Sequence, residues 1–270
     1  HRVDRRQRQM CIRDRSRVGD ESGRPLGEFG YVPYVYQIAK YTITKAQIEQ
    51  FNRENPDGFV IGNDTGDDPE MPARKLSWNE AARYVNWLNT REGYQEAYKF
   101  SGNGINDNID AWSFSDAWRP ELVNGRWYKT YARTATNYFR HADAKYFICS
   151  EDEWYKAAYY DAGQEQYYLF GTGSVPTRDP LGNCDDAPLP VSSGTDANTQ
   201  VWQQSGPADV RFAGGLSPYG VMGMGGNGYN YMETTESFAN TADTVNEQRA
   251  RRGGGYNAAG CVSISNVDRD

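Results

Sequence analysis

Between Gly214 and Glu233 the chain reads Gly-Gly-Leu-Ser-Pro-Tyr-Gly-Val-Met-Gly-Met-Gly-Gly-Asn-Gly-Tyr-Asn-Tyr-Met-Glu. Each glycine in a helix interior costs about 1 kcal/mol relative to alanine, so this stretch is not a helix. Glycine inside a plain strand weakens it as well, and marks a bulge or a close approach of two backbones. The apolar residues between the glycines need burial. The run is therefore predicted to be a tight, buried turn that feeds a strand.

The 270 residues suffice for one large domain or two small ones. Mean hydropathy is −0.84, yet 14% of the residues are aromatic, 20 of them Tyr. A core is expected in which many tyrosine rings are buried with the hydroxyl at a polar partner. Net charge is −7; the first 20 residues hold seven Arg against three Asp. Taking these from the totals of 29 basic and 36 acidic residues leaves 22 and 33, a net −11 for the body. Such a balance argues against a nucleic-acid partner. No apolar run reaches the roughly 20 residues of a membrane helix, and no signal-peptide core is present. Cys11, Cys149, Cys184 and Cys261 show no paired spacing, which excludes a disulfide framework and a zinc ribbon. His1 and His141 cannot supply a three-histidine metal site.

Residues 1–27 are expected to be foreign to the fold or disordered, since 1–20 alternate Arg and Asp without an apolar period. The domain is expected over 28–270. Val32 to Thr44 alternates as a strand does. Three capping boxes follow, Thr44 to Gln47, Ser77 to Glu80 and Ser150 to Glu153, each predicted to start a helix. Ile48 and Phe51 give the first helix its stripe. Trp78, Ala81, Ala82, Val85 and Leu88 fall on one face of the second, and Trp154, Ala157, Ala158 and Asp161 follow in the third. Tyr146-Phe147-Ile148 is predicted as a short strand, 93–144 as an insertion of turns and short elements, and 162–213 as loops. Trp78, Trp87, Trp154 and Tyr219 are expected to meet in one core.

These segments together resemble the sulfatase-modifying-factor family, whose fold is that of the formylglycine-generating enzyme. Lys40, Tyr41, Thr44 and Phe51 match its opening segment; Pro72, Leu76, Ser77, Trp78, Ala81, Tyr84 and Trp87 match its next signature. Ser150 to Ala158 is similar to its Thr-Glu-x-Glu-Trp-x-x-Ala-Ala helix, with Cys149 where the family has Pro and Phe147 where it has Arg. Gly226-Asn227-Gly228-Tyr229-Asn230-Tyr231 stands at its Gly-Asn-Val-Trp-Glu-Trp, and Arg252-Gly253-Gly254 at its Arg-Gly-Gly strand. The resemblance runs from about Val32 to Asp270 and implies an α+β, C-type-lectin-like fold rich in irregular loops. It names Trp78, Trp87, Trp154, Asn227 and Arg252 as structural motif residues. It also implies that the chain stops before the family's closing strand, and an extracytoplasmic location.

The resemblance carries chemical expectations too. Active members oxidise a cysteine of a sulfatase peptide with copper held by two cysteines, because Cu(I) selects soft thiolate ligands. The corresponding positions here are Ala258 and Ser263, so no catalytic residue is assigned. Cys261 falls at neither position. Cys149 opens a helix, but Glu151, Asp152 and Glu153 follow it and counter any lowering of its pKa. The iron-dependent sulfoxide synthases of the family need three histidines; His141 is expected to be an exposed loop residue. Calcium, a hard cation, is implied near Gly223, Gly226, Gly228 and Asn230, weakened because Asn230 replaces a glutamate. Asp67-Asp68 and Asp185-Asp186 read as solvated pairs. The resulting expectation is a non-catalytic binding module for a protein or carbohydrate ligand. The alternatives are a formylglycine-generating oxidase, or a retroelement-diversified binding protein varied between Tyr256 and Asp270.

Overall fold

The computed structural model describes residues 16–19, 25–30, 32, 34–55, 58–62, 68–119, 136–172, 187–235 and 248–259, the first eight of them, up to 28, by backbone alone. The three capping boxes all form. Thr44 starts α1 (Lys45–Glu54), Ser77 starts α2 (Trp78–Arg91) and Ser150 starts α3 (Glu151–Tyr159). In each, the hydroxyl accepts from the backbone N–H three residues on, and the Gln or Glu there accepts from the cap's own N–H.

The strands are short and pair two by two. β1 (Ser16–Gly19) lies antiparallel to β2 (Pro25–Phe29), which corrects the expectation of an unstructured or foreign segment for residues 16–19 and 25–27; 1–15 and 20–24 lie outside the described residues. β3 (Lys99–Phe100) pairs with β4 (Ile109–Asp110), β5 (Ala117–Trp118) with β6 (Asn137–His141), and β7 (Tyr160–Asp161) with β8 (Gln166–Tyr167). β9 (Leu189–Pro190) runs parallel to β10 (Thr199–Gln200), a 3-10 turn spans Val210–Phe212, and β11 (Asn230–Thr235) is antiparallel to β12 (Arg249–Arg252). The region expected to be loops after 162 thus holds short pairs.

Two expected strands are extended without being in a sheet. Residues 34–43 touch their neighbours one bond at a time: Met222 N–H donates to Lys40 O at 2.8 Å, and Ala73 N–H to Ile43 O at 2.8 Å. Tyr146 to Ile148 is held by side chains instead. Asn89, fully buried on α2, accepts from the Lys145 and Tyr146 N–H groups at 3.0 and 2.9 Å and donates to Tyr146 O at 2.8 Å; Tyr98 Oη accepts from Ile148 N–H at 2.8 Å. A side-chain amide with one donor and one acceptor end replaces a neighbouring strand here.

The core is divided. Trp78, Trp87 and Trp154 are all buried, but in three clusters, with Tyr219 half-buried at the edge of the third. Trp154 packs with Phe29, Tyr155, Tyr159 and Met224; Trp78 with Tyr98, Ile109 and Phe139; Trp87 with Phe51, Tyr84 and Ile48. The reason is helical geometry. Trp78 and Trp87 are nine residues apart, and at about 100° per residue they project from opposite sides of α2. The apolar face read from the sequence splits accordingly. Trp78 and Ala82 are buried, while Ala81, Val85 and Leu88 are only half-buried.

The glycine-rich run behaves as expected. Val221 to Asn227 is buried throughout and leads into β11. Gly226 has φ +78°, and a Cβ there would fall on Val201 O, so both the backbone conformation and the close approach require glycine.

Asn89→Ala is expected to destabilise the protein more than Ser77→Ala. The cap hydroxyl contributes about 1 kcal/mol. Removing the Asn89 amide leaves buried backbone groups unpaired at about 1–3 kcal/mol each. Urea unfolding of both variants checks the order.

Candidate functional site

Three short elements converge on one guanidinium. Arg140 of β6 is 1% exposed, although no sequence pattern marked it. It donates to Glu153 Oε1 and Oε2, both at 3.0 Å, and to Glu233 Oε1 and Oε2 at 3.2 and 2.8 Å. Phe147 and Trp118 cover its faces with ring centres at 3.7 and 4.9 Å. Glu153 also accepts from the Tyr34 hydroxyl at 2.8 Å and the Ser150 N–H at 2.7 Å. Glu233 accepts from the Tyr98 hydroxyl at 3.0 Å and from Asn137 Nδ2. Beside this group, Arg252 of β12 meets Glu151 at 2.8 Å, both fully buried, and lies over Phe29. Arg249 donates to Glu233 O at 2.7 Å and covers Trp78, whose indole N–H donates to Met232 O at 3.0 Å.

Burial by itself would raise the Glu153 pKa. The Arg140 guanidinium outweighs it, helped by the Ser150 and Tyr34 bonds, and holds the carboxyl below its ordinary value. Burial pushes Tyr34 and Tyr98 well above theirs, and the neighbouring glutamates add to it. The result is a closed, deeply buried charge network. Its work is structural: it fixes α3 against β6 and β11.

The accessible feature lies alongside. A groove of about 340 Å³ runs between the half-buried face of α2, the extended 37–43 stretch, the backbone of 145–149 and the glycine-rich run. Its lining is mostly apolar: Ala81, Val85 and Leu88 from the helix, Met222 and Tyr231 from the glycine-rich side, and Cys149. Tyr229 and Tyr41 stand at it with 40% and 37% of their surface exposed. In the sequence these helix residues form one apolar face, and nothing there tells what covers it.

The candidate site residues divide as follows. Asn227, with φ +62°, clamps Ala208: its Oδ1 accepts from the Ala208 N–H at 2.7 Å and its Nδ2 donates to the Ala208 O at 3.1 Å. Gly223, Gly226, Gly228 and Asn230 share one turn, and two of its carbonyls accept hydrogen bonds from within it. Gly226 O accepts from Gly228 N–H at 2.7 Å and Gly228 O from Asn230 Nδ2 at 3.3 Å. Among the described residues no cluster of three or more His, Cys, Asp or Glu side chains forms. This donor set does not fit a dication that selects carboxylate oxygen. Ala258 sits in a turn, its N–H donating to Gly255 O at 3.0 Å, and packs against the Trp154 cluster. Ser263, Cys11, Cys184 and Cys261 lie outside the described residues. His141 closes β6 rather than lying in a loop; its Nδ1 accepts from the Asp143 N–H at 3.0 Å and its ring meets Trp112 edge-on.

Cys149 is the one thiol among the described residues, and it is free and half-buried. Burial, with Glu153 adding to it, pushes its pKa up to about 12. At neutral pH and without a metal, the neutral thiol is favoured over the nucleophilic thiolate.

Two measurements follow. Native Cys149 is expected to react with iodoacetamide at pH 8 roughly three orders of magnitude more slowly than in the urea-unfolded chain, by peptide mass spectrometry. Arg140→Met is expected to cost about 3–5 kcal/mol, because it strands two buried carboxylates. The sign of the acid limit is set by Glu153. Its folded pKa is depressed, so its contribution is complete above the unfolded-chain value of about 4.3 and is lost as pH falls through the lower folded value. Denaturant titrations from pH 7 to pH 2, with Glu153→Gln flattening the acid limb, check this.

Among the described residues no helix is long and apolar enough to cross a membrane. Comparison with curated protein sequences gives no match. Among solved structures, CarF shares 16% identity with a TM-score of 0.51, over 95% of this chain and 89% of that one. The Treponema denticola variable protein 1 shares 15% with a TM-score of 0.47, over 95% and 86%. Short strand pairs, three capped helices and irregular loops are the α+β, C-type-lectin-like architecture that the sequence resemblance implied. The family model for the sulfatase-modifying factor enzyme 1-like domain matches residues 21–269, and the chain belongs to that family.

Proposed function

We propose that this chain is a ligand-binding member of the family that does not carry out copper-dependent oxidation of a peptide cysteine. The observation that carries the reading is Ala258. It stands at the first thiolate position and presents a methyl group packed against the Trp154 cluster. A two-thiolate Cu(I) site cannot be completed from that position. Burial and Glu153 favour the neutral thiol at Cys149, so it offers no free thiolate in its place. The groove supplies the alternative. A concave, mainly apolar surface with exposed tyrosines at its rim suits the apolar side chains of a polypeptide ligand.

Two experiments test the proposal. Supplied with copper, oxygen and a reductant, the protein is expected to leave the cysteine of a sulfatase-type peptide unconverted. Formylglycine seen by mass spectrometry, and lost on Cys261→Ser, would overturn the reading. The groove is expected to bind the apolar dye 1-anilinonaphthalene-8-sulfonate, and Val85→Lys to abolish that binding with the far-UV circular dichroism unchanged. Dye binding that ignores Val85→Lys would remove the groove from the argument.

A further inference from the structure

A second cleft, of about 650 Å³, opens beside the groove and shares the Tyr41 and Thr42 wall with it. Its chemistry differs. Ala46, Gln50 and Arg53 face it from α1, three residues that a helix places on one side. Lys40, Glu70 and Arg211 come from three other stretches of chain. The cleft therefore gathers three cations and one carboxylate in a chain whose net charge is −7. The carboxylate is already engaged: Glu70 lies 3.9 Å from Arg211, which also bonds Asp209 at 3.0 Å. Neither Lys40 nor Arg53 meets a carboxylate among the described residues; Lys40 lies 5.2 Å from the Tyr41 ring centre. Exposed lysines and arginines on a convex surface are ordinarily just solvated. Here a concave wall focuses their field, and an anion entering it gains from both.

We infer that this cleft binds an acidic carbohydrate, its carboxylate toward Lys40 and Arg53 and one sugar face on Tyr41. The volume falls within the range of about 300–1,000 Å³ found for small-ligand sites. The apolar C–H face of a sugar ring matches a flat, exposed tyrosine ring. Gln50 donates one amide N–H to Glu54 at 2.9 Å, which leaves its carbonyl and second N–H, with the Glu70 oxygen turned from Arg211, for ring hydroxyls. Glu70 also selects between anions. Its charge repels a phosphate dianion more than a carboxylate monoanion, while hydroxyl groups donate to it. The inference concerns a different cleft from the groove and stands or falls separately from it.

The test uses calorimetry of the full chain with a trigalacturonate, a hyaluronan tetrasaccharide and sialyllactose, against neutral galactotriose, a phosphoserine peptide and inorganic phosphate. At least one acidic sugar is expected to bind with a Kd near or below about 1 mM and to weaken as salt is raised. Lys40→Ala with Arg53→Ala, and separately Tyr41→Ala, are each expected to weaken it about tenfold or more. All three positions are partly or fully exposed, so circular dichroism should be unchanged, and dye binding in the groove should persist in the Lys40/Arg53 variant. The inference is overturned if no acidic sugar binds saturably, if galactotriose binds equally, or if either variant binds as the parent does. A phosphopeptide or phosphate that binds more tightly and ignores Tyr41→Ala would make the cleft a plain anion site, and would overturn it too.

Discussion

The Glu153 carboxylate takes donors from Ser150, Arg140 and Tyr34 at once, and the remaining architecture is arranged around that saturation. The same glutamate caps its own helix and anchors a buried arginine from another strand. A buried ion pair is a weak source of net stability, because desolvating the charges offsets most of their attraction. Its consequence is positional. With Arg140 spanning Glu153 and Glu233, α3, β6 and β11 have one mutual arrangement in which every buried charge is met. A shift of any of the three leaves a charge in a dry interior, at a cost of several kcal/mol. That constraint suits a fold whose sheets are pairs of short strands, where backbone ladders alone specify little.

The helix α2 shows how one sequence pattern serves several surfaces. Trp78 enters one cluster, Trp87 another, and the strip of Ala81, Val85 and Leu88 between them is left facing the groove. An apolar stripe says that a face avoids water. It does not say whether protein or a ligand covers it.

The glycine-rich run contributes by closeness rather than by chemistry. Gly226 lets the chain pass against Val201, and Asn227 then locks the turn by holding both backbone groups of Ala208. Within the turn, Gly228 N–H donates to Gly226 O and the Asn230 amide to Gly228 O. Asn230 thus serves the turn as an internal donor.

The sequence by itself determined what depends on neighbours along the chain. The capping boxes at Thr44, Ser77 and Ser150, the helices they start and the buried turn at Val221 to Asn227 rest on spacing within a few residues. The motif order also carried the family. Tertiary structure alone decided what depends on residues far apart in sequence. Arg140 sits in a stretch without a recognisable period and meets Glu233 across 93 positions. Tyr146 to Ile148 has strand-like residues, but a buried Asn89 57 positions away took the place of a partner strand. The three tryptophans read as one core fell into three, because the angle between helix faces is fixed locally while the choice of what packs on each face is not. The groove and the cleft belong to the same class: their walls come from separated segments, and a concavity has no signature in any one of them.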